Sequence, residues 1–120
     1  MRIAPRIRQE TLMSAEVVAQ ADTHYTSSVD FERCTGVASV LIISTAGTVT
    51  ISQQCSLDNL TWYDPINNAG VALGVVCTAK TVTAGIYVAY SPVATPYVRF
   101  KVVETNTAQT SVTVKLLFQV

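Results

Sequence analysis

Alternating apolar and polar positions are clearest in the C-terminal quarter of the chain. In residues 111–120 every even position is apolar, and residues 97–102 alternate in the same way. Because successive side chains of a β-strand point to opposite faces, both segments are predicted to be strands with one buried face. The polar segment 104–109 between them predicts a hairpin or meander. The residues predicted to face the core are Val98, Phe100, Val102, Val112, Val114, Leu116 and Phe118.

A second pair of strands is predicted upstream. Residues 38–44 form a nearly continuous apolar run, which is typical of a strand buried on both faces. The short segment 45–47 contains glycine, and residues 48–52 then alternate again. This arrangement predicts a second hairpin.

Three further segments have strand character. Residues 86–90 are apolar and aromatic, and Pro92 and Pro96 follow them, where proline removes a ladder donor. Residues 71–77 and 80–83 are weaker strand candidates. About eight short strands with regular spacing are typical of a sandwich or small barrel.

The N-terminal part has two interpretations. The apolar positions of residues 11–21 fit either a short helical stripe or a strand, while residues 1–10 read as an extended arm. No internal repeat is evident. We therefore predict an N-terminal arm over 1–10 and, over 11–120, one all-β domain, an antiparallel β-sandwich of jelly-roll-like type.

Composition narrows the class of protein. The chain has 120 residues, of which 49% are hydrophobic and 13% charged, with 8 basic and 8 acidic side chains. This composition favours one folded domain over a disordered chain, and the neutral balance gives no electrostatic reason to expect nucleic-acid or membrane-surface binding. No apolar run approaches the roughly 18 residues of a membrane span, and no signal segment is apparent, so we expect synthesis in the cytosol.

The arm has two chemically different sides. Arg2, Arg6 and Arg8 occupy even positions, and Ile3 and Ile7 occupy odd ones. In an extended chain the arginines would lie on one side and an apolar edge on the other. Such an arm could add to the sheet edge of a neighbouring subunit and bind its carboxylates, although a frayed terminus is the alternative.

The cysteines and the histidine do not predict a site. Cys34, Cys55 and Cys77 are widely spaced, and His24 has no partner at metal-ligand spacing. We expect three free thiols and no metal. A catalytic pair of His24 with one cysteine is conceivable, but nothing local would activate the thiol.

Two acidic residues flank the single tryptophan. Asp58 and Asp64 could be a glycosidase pair or, with Asn59, calcium ligands. Asp58 and Asn59 fit a turn better, because such side chains bond nearby backbone, and Asp64 precedes a proline. We therefore expect neither catalysis nor a bound cation from them.

Aromatic side chains are the remaining candidates for a ligand site. Trp62 and Tyr63 could stack on a sugar ring, but aromatic residues more often fill a core or a subunit interface. Tyr87, Tyr90 and Tyr97 have the same two interpretations. No phosphate loop, serine-hydrolase elbow or RNA-binding aromatic motif is present, so we do not expect nucleotide hydrolysis, serine hydrolysis or RNA binding of the RRM type.

The order of several short motifs resembles a known group. Val29-Asp30 comes first, then a strand and a turn, then Ser56-x-Asp58-x-x-Thr61-Trp62, and finally Tyr97-Val98-Arg99. Residues 25–120 are similar in this respect to the small β-sandwich virion proteins of tailed bacteriophages. The sequence departs from that pattern at Asn59, where glycine is usual, but asparagine tolerates a positive φ and can keep the turn.

This resemblance implies a structural role without enzymatic activity or cofactor. The expected function is a capsid decoration protein, a homo-oligomer bound on the major capsid protein lattice and assembled into the virion in the host cytoplasm. A head–tail connector or tail accessory protein is the alternative. A carbohydrate-binding or adhesin module, with Trp62 and Tyr63 as its platform, represents a different class.

Overall fold

A computed structural model describes residues 6–120, and within this range all regular structure is β-strand. The nine strands are β1 Ile7–Val18, β2 Thr23–Tyr25, β3 Val29–Asp30, β4 Ala38–Ser44, β5 Val49–Ser56, β6 Val75–Lys80, β7 Ile86–Tyr90, β8 Tyr97–Glu104 and β9 Thr110–Gln119.

The strands form two antiparallel sheets that pack face to face. The four-stranded sheet has the order β1-β9-β4-β7, and the five-stranded sheet has the order β2-β8-β5-β6 with β3 also paired to β8. Apart from the β2–β3 and β5–β6 connections, the chain crosses to the other sheet after each strand. This order is that of a double-sheet jelly roll, so the predicted all-β sandwich is confirmed.

The core lies between the two sheets. Every residue predicted to face inward from the last two strands is at most 1% exposed. Phe118 packs against Phe31 with ring centroids 5.0 Å apart, and Phe100 packs against Tyr90 at 5.9 Å. These contacts join side chains from both sheets and from the loop after β3.

Both predicted hairpins are wrong. Residues 45–48 connect β4 to β5, and residues 105–109 connect β8 to β9, but in each case the two strands belong to different sheets. Alternation reveals which face of a strand is buried, but it does not reveal which strand lies beside it. The short polar connections are therefore arches across the sandwich.

Two other strand predictions need correction. The strand at 38–44 is fully buried on its inner face only, since Ile43 on the outer face is 40% exposed. The two weak candidates correspond to one strand, β6, while residues 81–83 are outside any strand. Val82 is nevertheless buried. Its carbonyl accepts a hydrogen bond from Ser44 N at 3.2 Å, and this bond holds the segment against β4.

The N-terminal strand resolves the ambiguity at 11–21 and moves the predicted arm boundary. Strand β1 begins at Ile7 and pairs with β9 without interruption at residue 10, so residues 7–10 belong to the sheet rather than to a separate arm. Its register shifts between Thr11 and Met13 and again before Glu16. Because of the first shift, the adjacent Leu12 and Met13 are both buried, and this disturbs the strand alternation.

One end of the sandwich is held by a buried carboxylate, which we call the Glu104 clasp. Glu104 is 1% exposed and accepts hydrogen bonds from Ala21 N at 3.0 Å, Thr107 N at 2.9 Å and Thr107 Oγ1 at 2.6 Å. Burial alone would raise its pKa, but these hydrogen bonds outweigh burial and lower the pKa to about 2. The clasp thus joins the β1–β2 and β8–β9 connections.

Candidate interaction surfaces

The outer face of the five-stranded sheet carries an arginine between two aromatic rings, which we call the arginine stack. The Arg99 guanidinium carbon lies 4.2 Å from the Tyr25 ring centroid and 4.6 Å from that of Trp62. Strand β2 supplies the tyrosine, β8 the arginine, and the loop after β5 the tryptophan. A planar guanidinium is suited to such stacking, and the two rings restrict its rotation.

A polar network fixes the base of the arginine stack. Arg99 Nε donates to Gln54 Oε1 at 2.8 Å, and Gln54 Nε2 donates to Asp64 Oδ1 at 2.9 Å. Lys101 Nζ lies 3.8 Å from the other oxygen of Asp64. Within residues 6–120, Arg99 has no carboxylate partner and only its Nε makes a hydrogen bond, so its terminal Nη groups can bind an anionic group.

The segment 56–61, which we call the apolar turn, projects from the end of β5. Asp58 Oδ1 accepts hydrogen bonds from Leu60 N and Thr61 N, both at 2.9 Å, and Ser56 Oγ accepts one from Asn59 N at 2.9 Å. The backbone bonds from Thr61 and Leu60 lower the pKa of Asp58, followed by the bond from Ser56. Asn59 has φ 63°, so it does provide the left-handed conformation expected of it.

The two aspartates belong to separate local networks of hydrogen bonds. Asp58 is occupied by the apolar turn, and Asp64 by Gln54 and Lys101. Among the described residues no group of three or more His, Cys, Asp or Glu side chains could hold a metal ion. The structure assigns both aspartates to local scaffolding.

The two residues of the predicted aromatic platform, Trp62 and Tyr63, lie in different environments. Trp62 is partly buried and stacked on Arg99, whereas the neighbouring Tyr63 is 64% exposed and its backbone pairs with Cys55. Tyr87 is exposed on β7, while the Tyr90 hydroxyl is buried and, among the described residues, makes no hydrogen bond. Trp62 and Tyr63 therefore do not present a shared free face.

The outer face of the four-stranded sheet mixes apolar and polar side chains. Ile43 and Tyr87 are exposed there, Leu41 and Leu117 are partly exposed, and Lys115 is the one charged residue that faces outward from β4, β7 and β9. The uncharged polar residues that face outward from the same strands are Ser39, Ser111, Thr113 and Gln119. The outer face of an antiparallel sheet is commonly solvated and polar, so the exposed Ile43 and Tyr87 are the part of this face that a partner could cover.

The N-terminal residues predicted to bind a partner are only partly within the described range, since Arg2 and Ile3 lie outside it. Arg6 and Val120 exchange backbone hydrogen bonds, and Arg8 bonds Glu10 at 2.8 Å and lies over the Phe118 ring. Ile7 is 73% exposed. The backbone of residues 6–8 thus pairs with the same chain, while the side chains of Arg6 and Ile7 remain exposed.

The thiols and the histidine occupy separate sites. Cys34, Cys55 and Cys77 are free, and burial raises the pKa of Cys55 and Cys77, which makes them poorer nucleophiles. His24 lies between Glu16 Oε2 at 2.9 Å and Asp22 Oδ2 at 3.1 Å. The hydrogen bond to Glu16 raises its pKa, burial opposes this, and the bond to Asp22 adds to it.

A cleft at the apolar-turn end of the sandwich, which we call the end cleft, has a volume of about 560 Å³. Most of its lining is apolar, and Glu32 is its one charged residue. Cys34 lines it and is partly exposed. The lining residues are Phe31, Glu32, Cys34, Thr35, Gly36, Pro92, Val93, Ala94, Thr95 and Pro96.

Sequence reasoning missed the arginine stack. Alternation places Arg99 on the outer face of β8, and Trp62 follows a recognisable turn, but their meeting depends on how the loop folds back over the sheet. Tyr25 gave no signal, because it lies in a strand of three residues. The arginine stack forms only because the fold brings together three segments that are distant in the sequence: β2, β8 and the loop after β5.

The fold and these surfaces define a jelly-roll β-sandwich with exposed apolar and arginine-aromatic surfaces. No protein-family model and no curated protein matches the chain. Among solved structures, it is similar to the SPBc2 prophage-derived protein YomS, with a TM-score of 0.55 and 13% sequence identity. The alignment covers 100% of this chain and 98% of YomS, so the two share a fold over their whole lengths. Within residues 6–120 there is no helix long and apolar enough to cross a membrane.

Proposed function

We propose that the chain is a non-enzymatic structural protein of a bacteriophage virion, and more specifically a decoration protein on the capsid lattice. The observation that carries the proposal is the combination of a jelly-roll sandwich with exposed apolar side chains on an outer sheet face and on the β5–β6 loop. Such surfaces need partners, and a virion supplies them in a fixed array.

The whole-length likeness to a prophage-derived protein supports the same class, since the two chains share both size and fold. The phage-like order of motifs in the sequence agrees with it. The jelly roll is also an architecture that capsid proteins use. In this proposal the partner is the major capsid protein, and several copies of the chain lie around a local symmetry axis of the shell.

The experiment is cryo-electron microscopy of purified virions from the phage that encodes the chain. We expect jelly-roll density at regular positions on the outer surface of the shell. Density only at the neck or along the tail would replace the decoration role by the connector or tail-accessory role. Absence of the chain from virions would contradict the structural role altogether.

A binding experiment separates the decoration role from carbohydrate recognition. The full-length purified chain should co-sediment with capsids that lack it, and saturation should give a fixed number of copies per capsid protein. The matched assay is a glycan array, on which we expect no selective binding. Selective glycan binding that is lost in Tyr63→Ala, together with no capsid binding, would favour the adhesin class.

A further inference from the structure

The apolar turn presents two leucines in a fixed conformation. Leu57 is 79% and Leu60 is 83% exposed, although the turn beneath them is held by hydrogen bonds to Ser56 and Asp58. A rigid turn loses little conformational freedom on binding. It is therefore a preorganised apolar projection that this chain itself leaves uncovered.

The end cleft is an apolar depression beside that projection. Thr95, which lines the cleft, donates a hydrogen bond to the Ser56 carbonyl at 3.0 Å, so the cleft and the apolar turn adjoin at the same end of the sandwich. The exposure of Leu57 and Leu60 shows that the turn does not fill the cleft of its own chain.

The charges at the two surfaces are opposite. Glu32 stands in the cleft lining, and among the described residues it has no basic partner. Arg99, which has no carboxylate partner within the same range, is stacked on Trp62 directly after the apolar turn. Within the described part of the chain, a contact between the turn of one copy and the cleft of another therefore joins a surface that adjoins an unpaired cation to a surface that carries an unpaired anion.

We propose that two copies of this chain associate through this end of the sandwich, with the apolar turn of each copy in the end cleft of the other and Arg99 facing the neighbour's Glu32. Because the turn and the cleft adjoin, both copies can make the same contact at once, which is an isologous interface. We therefore expect a dimer with two-fold symmetry. This inference rests on the oligomeric part of the proposed function and names the surface that would carry it.

The test is sedimentation equilibrium of the full-length chain over a range of concentrations. We expect a defined oligomer for the wild type and an increase of at least about tenfold in its dissociation constant for Leu57→Ser with Leu60→Ser, as for truncation of interface anchors. Ala94→Trp should have the same effect from the cleft side, because Ala94 is exposed in the lining and the indole would fill the space.

The matched control is Tyr87→Ser. Tyr87 is 67% exposed, comparable to the leucines, but it lies on the outer face of the four-stranded sheet. This variant should associate like the wild type. If Tyr87→Ser dissociates the oligomer while the turn variant leaves it intact, the contact lies on the other sheet and the proposal is overturned.

Charge exchange gives a second and independent readout. Glu32→Arg alone should weaken association, and combining it with Arg99→Glu should restore part of the loss, as coupled residues do in a double-mutant cycle. Alkylation of Cys34 in the cleft should also slow as the wild type is concentrated, a measurement that needs no variant to fold. An alkylation rate independent of concentration would overturn the proposal.

Failure of the proposal can be distinguished from failure of the proposed function. An oligomer that is unchanged in the turn, cleft and charge variants would overturn the contact between turn and cleft but leave capsid binding intact. An oligomer that dissociates in those variants, in a chain that binds no virion particle, supports the contact and contradicts the decoration role. A wild type that stays monomeric at every concentration overturns the contact.

Discussion

At the scale of single residues, the carboxylate of Glu104 makes the stability of the fold depend on pH. Its pKa is about 2 in the folded chain against an ordinary value of 4.5, so the folded state favours the charged carboxylate. A group whose pKa is lowered by folding contributes stability above its unfolded pKa, and that contribution disappears as the pH falls through the folded value. The clasp should therefore stabilise the sandwich at neutral pH and release it between about pH 4.5 and pH 2.

The first prediction concerns Glu104→Gln. An amide can accept fewer of the hydrogen bonds from Ala21 and Thr107 and adds two donors to a site that already consists of donors. We expect a clearly lower Tm than wild type at pH 7, measured by circular dichroism, and a smaller difference near pH 2. Glu16→Gln is the control, because Glu16 is exposed and its pairing with His24 lies at the surface. A Tm difference independent of pH would contradict the clasp.

The second prediction compares two glycines that share a positive φ. A Cβ on Gly47 would lie 2.8 Å from Glu104 Oε2 and 2.9 Å from the Ala108 carbonyl, whereas a Cβ on Gly36 would meet nothing within 4 Å. Gly36→Ala should cost about 1–2 kcal/mol, from the left-handed conformation alone. Gly47→Ala should cost more than that in chemical denaturation. Equal losses would mean that the β4–β5 connection can move away from the clasp.

At the scale of elements, the last strand offers neighbouring residues on opposite faces. Leu116 is fully buried between the sheets, and Leu117 faces outward with partial exposure. The third prediction is that Leu116→Ala costs about 2–5 kcal/mol in urea denaturation, while Leu117→Ala costs less than about 1 kcal/mol. Similar costs at both positions would mean that the outer face is also packed, or that the register of β9 is wrong.

The fourth prediction separates the undescribed N-terminal residues from the strand that follows them. Deleting residues 1–5 should leave the Tm unchanged, because this deletion keeps the backbone bonds between Arg6 and Val120 and the whole of β1. Deleting residues 1–8 should lower the Tm, since it also removes the Arg8 contact with Phe118. If residues 1–5 dock onto a neighbour, the shorter deletion should weaken capsid binding in co-sedimentation. Unchanged binding would contradict the docking arm.

Strand faces were predictable from the sequence because burial of one face imposes alternation, as at Val98 and Phe100. Strand partners were not, because β4 pairs with β7 and β9 rather than with the β5 that follows it. The two inward residues of the bulged β1, Leu12 and Met13, imitate a helical stripe for a local reason. The turn at Asn59 was predictable, since it depends on neighbouring residues alone.

At the scale of the whole molecule, the three thiols report on global opening. Cys77 is 7% exposed, while Cys34 and Cys55 are partly exposed at the surface. The fifth prediction is that mass spectrometry of unreduced protein finds three alkylatable cysteines and no bound zinc, with Cys77 modified last and only as fast as the sandwich unfolds. A native disulfide, a stoichiometric metal, or rapid labelling of Cys77 would contradict it.

The candidate surfaces are also properties of the whole molecule. The sequence therefore indicated some of their residues but not the surfaces themselves. The exposed leucines of the apolar turn stand out in the sequence as ordinary apolar residues, and only the fold shows that they have no core to enter. The end cleft joins residues about sixty positions apart, from Phe31 to Pro96. Short motifs describe local geometry, whereas a surface is made by chain segments that the topology brings together.

Because β1 pairs with β9, the first strand to be synthesised has to wait for the ninth before it can join its sheet. Ile7 finds its partner in Gln119, so the first strand leaves the ribosome about 5–20 s before the strand it needs, at ordinary translation rates of roughly 5–20 residues per second. Strand β4 waits for the same partner. The four-stranded sheet therefore closes only after β9 has been released from the exit tunnel. Until then β4 can already pair with β7, whereas β1 has no other partner strand among the described residues and its apolar side chains Leu12 and Met13 remain uncovered.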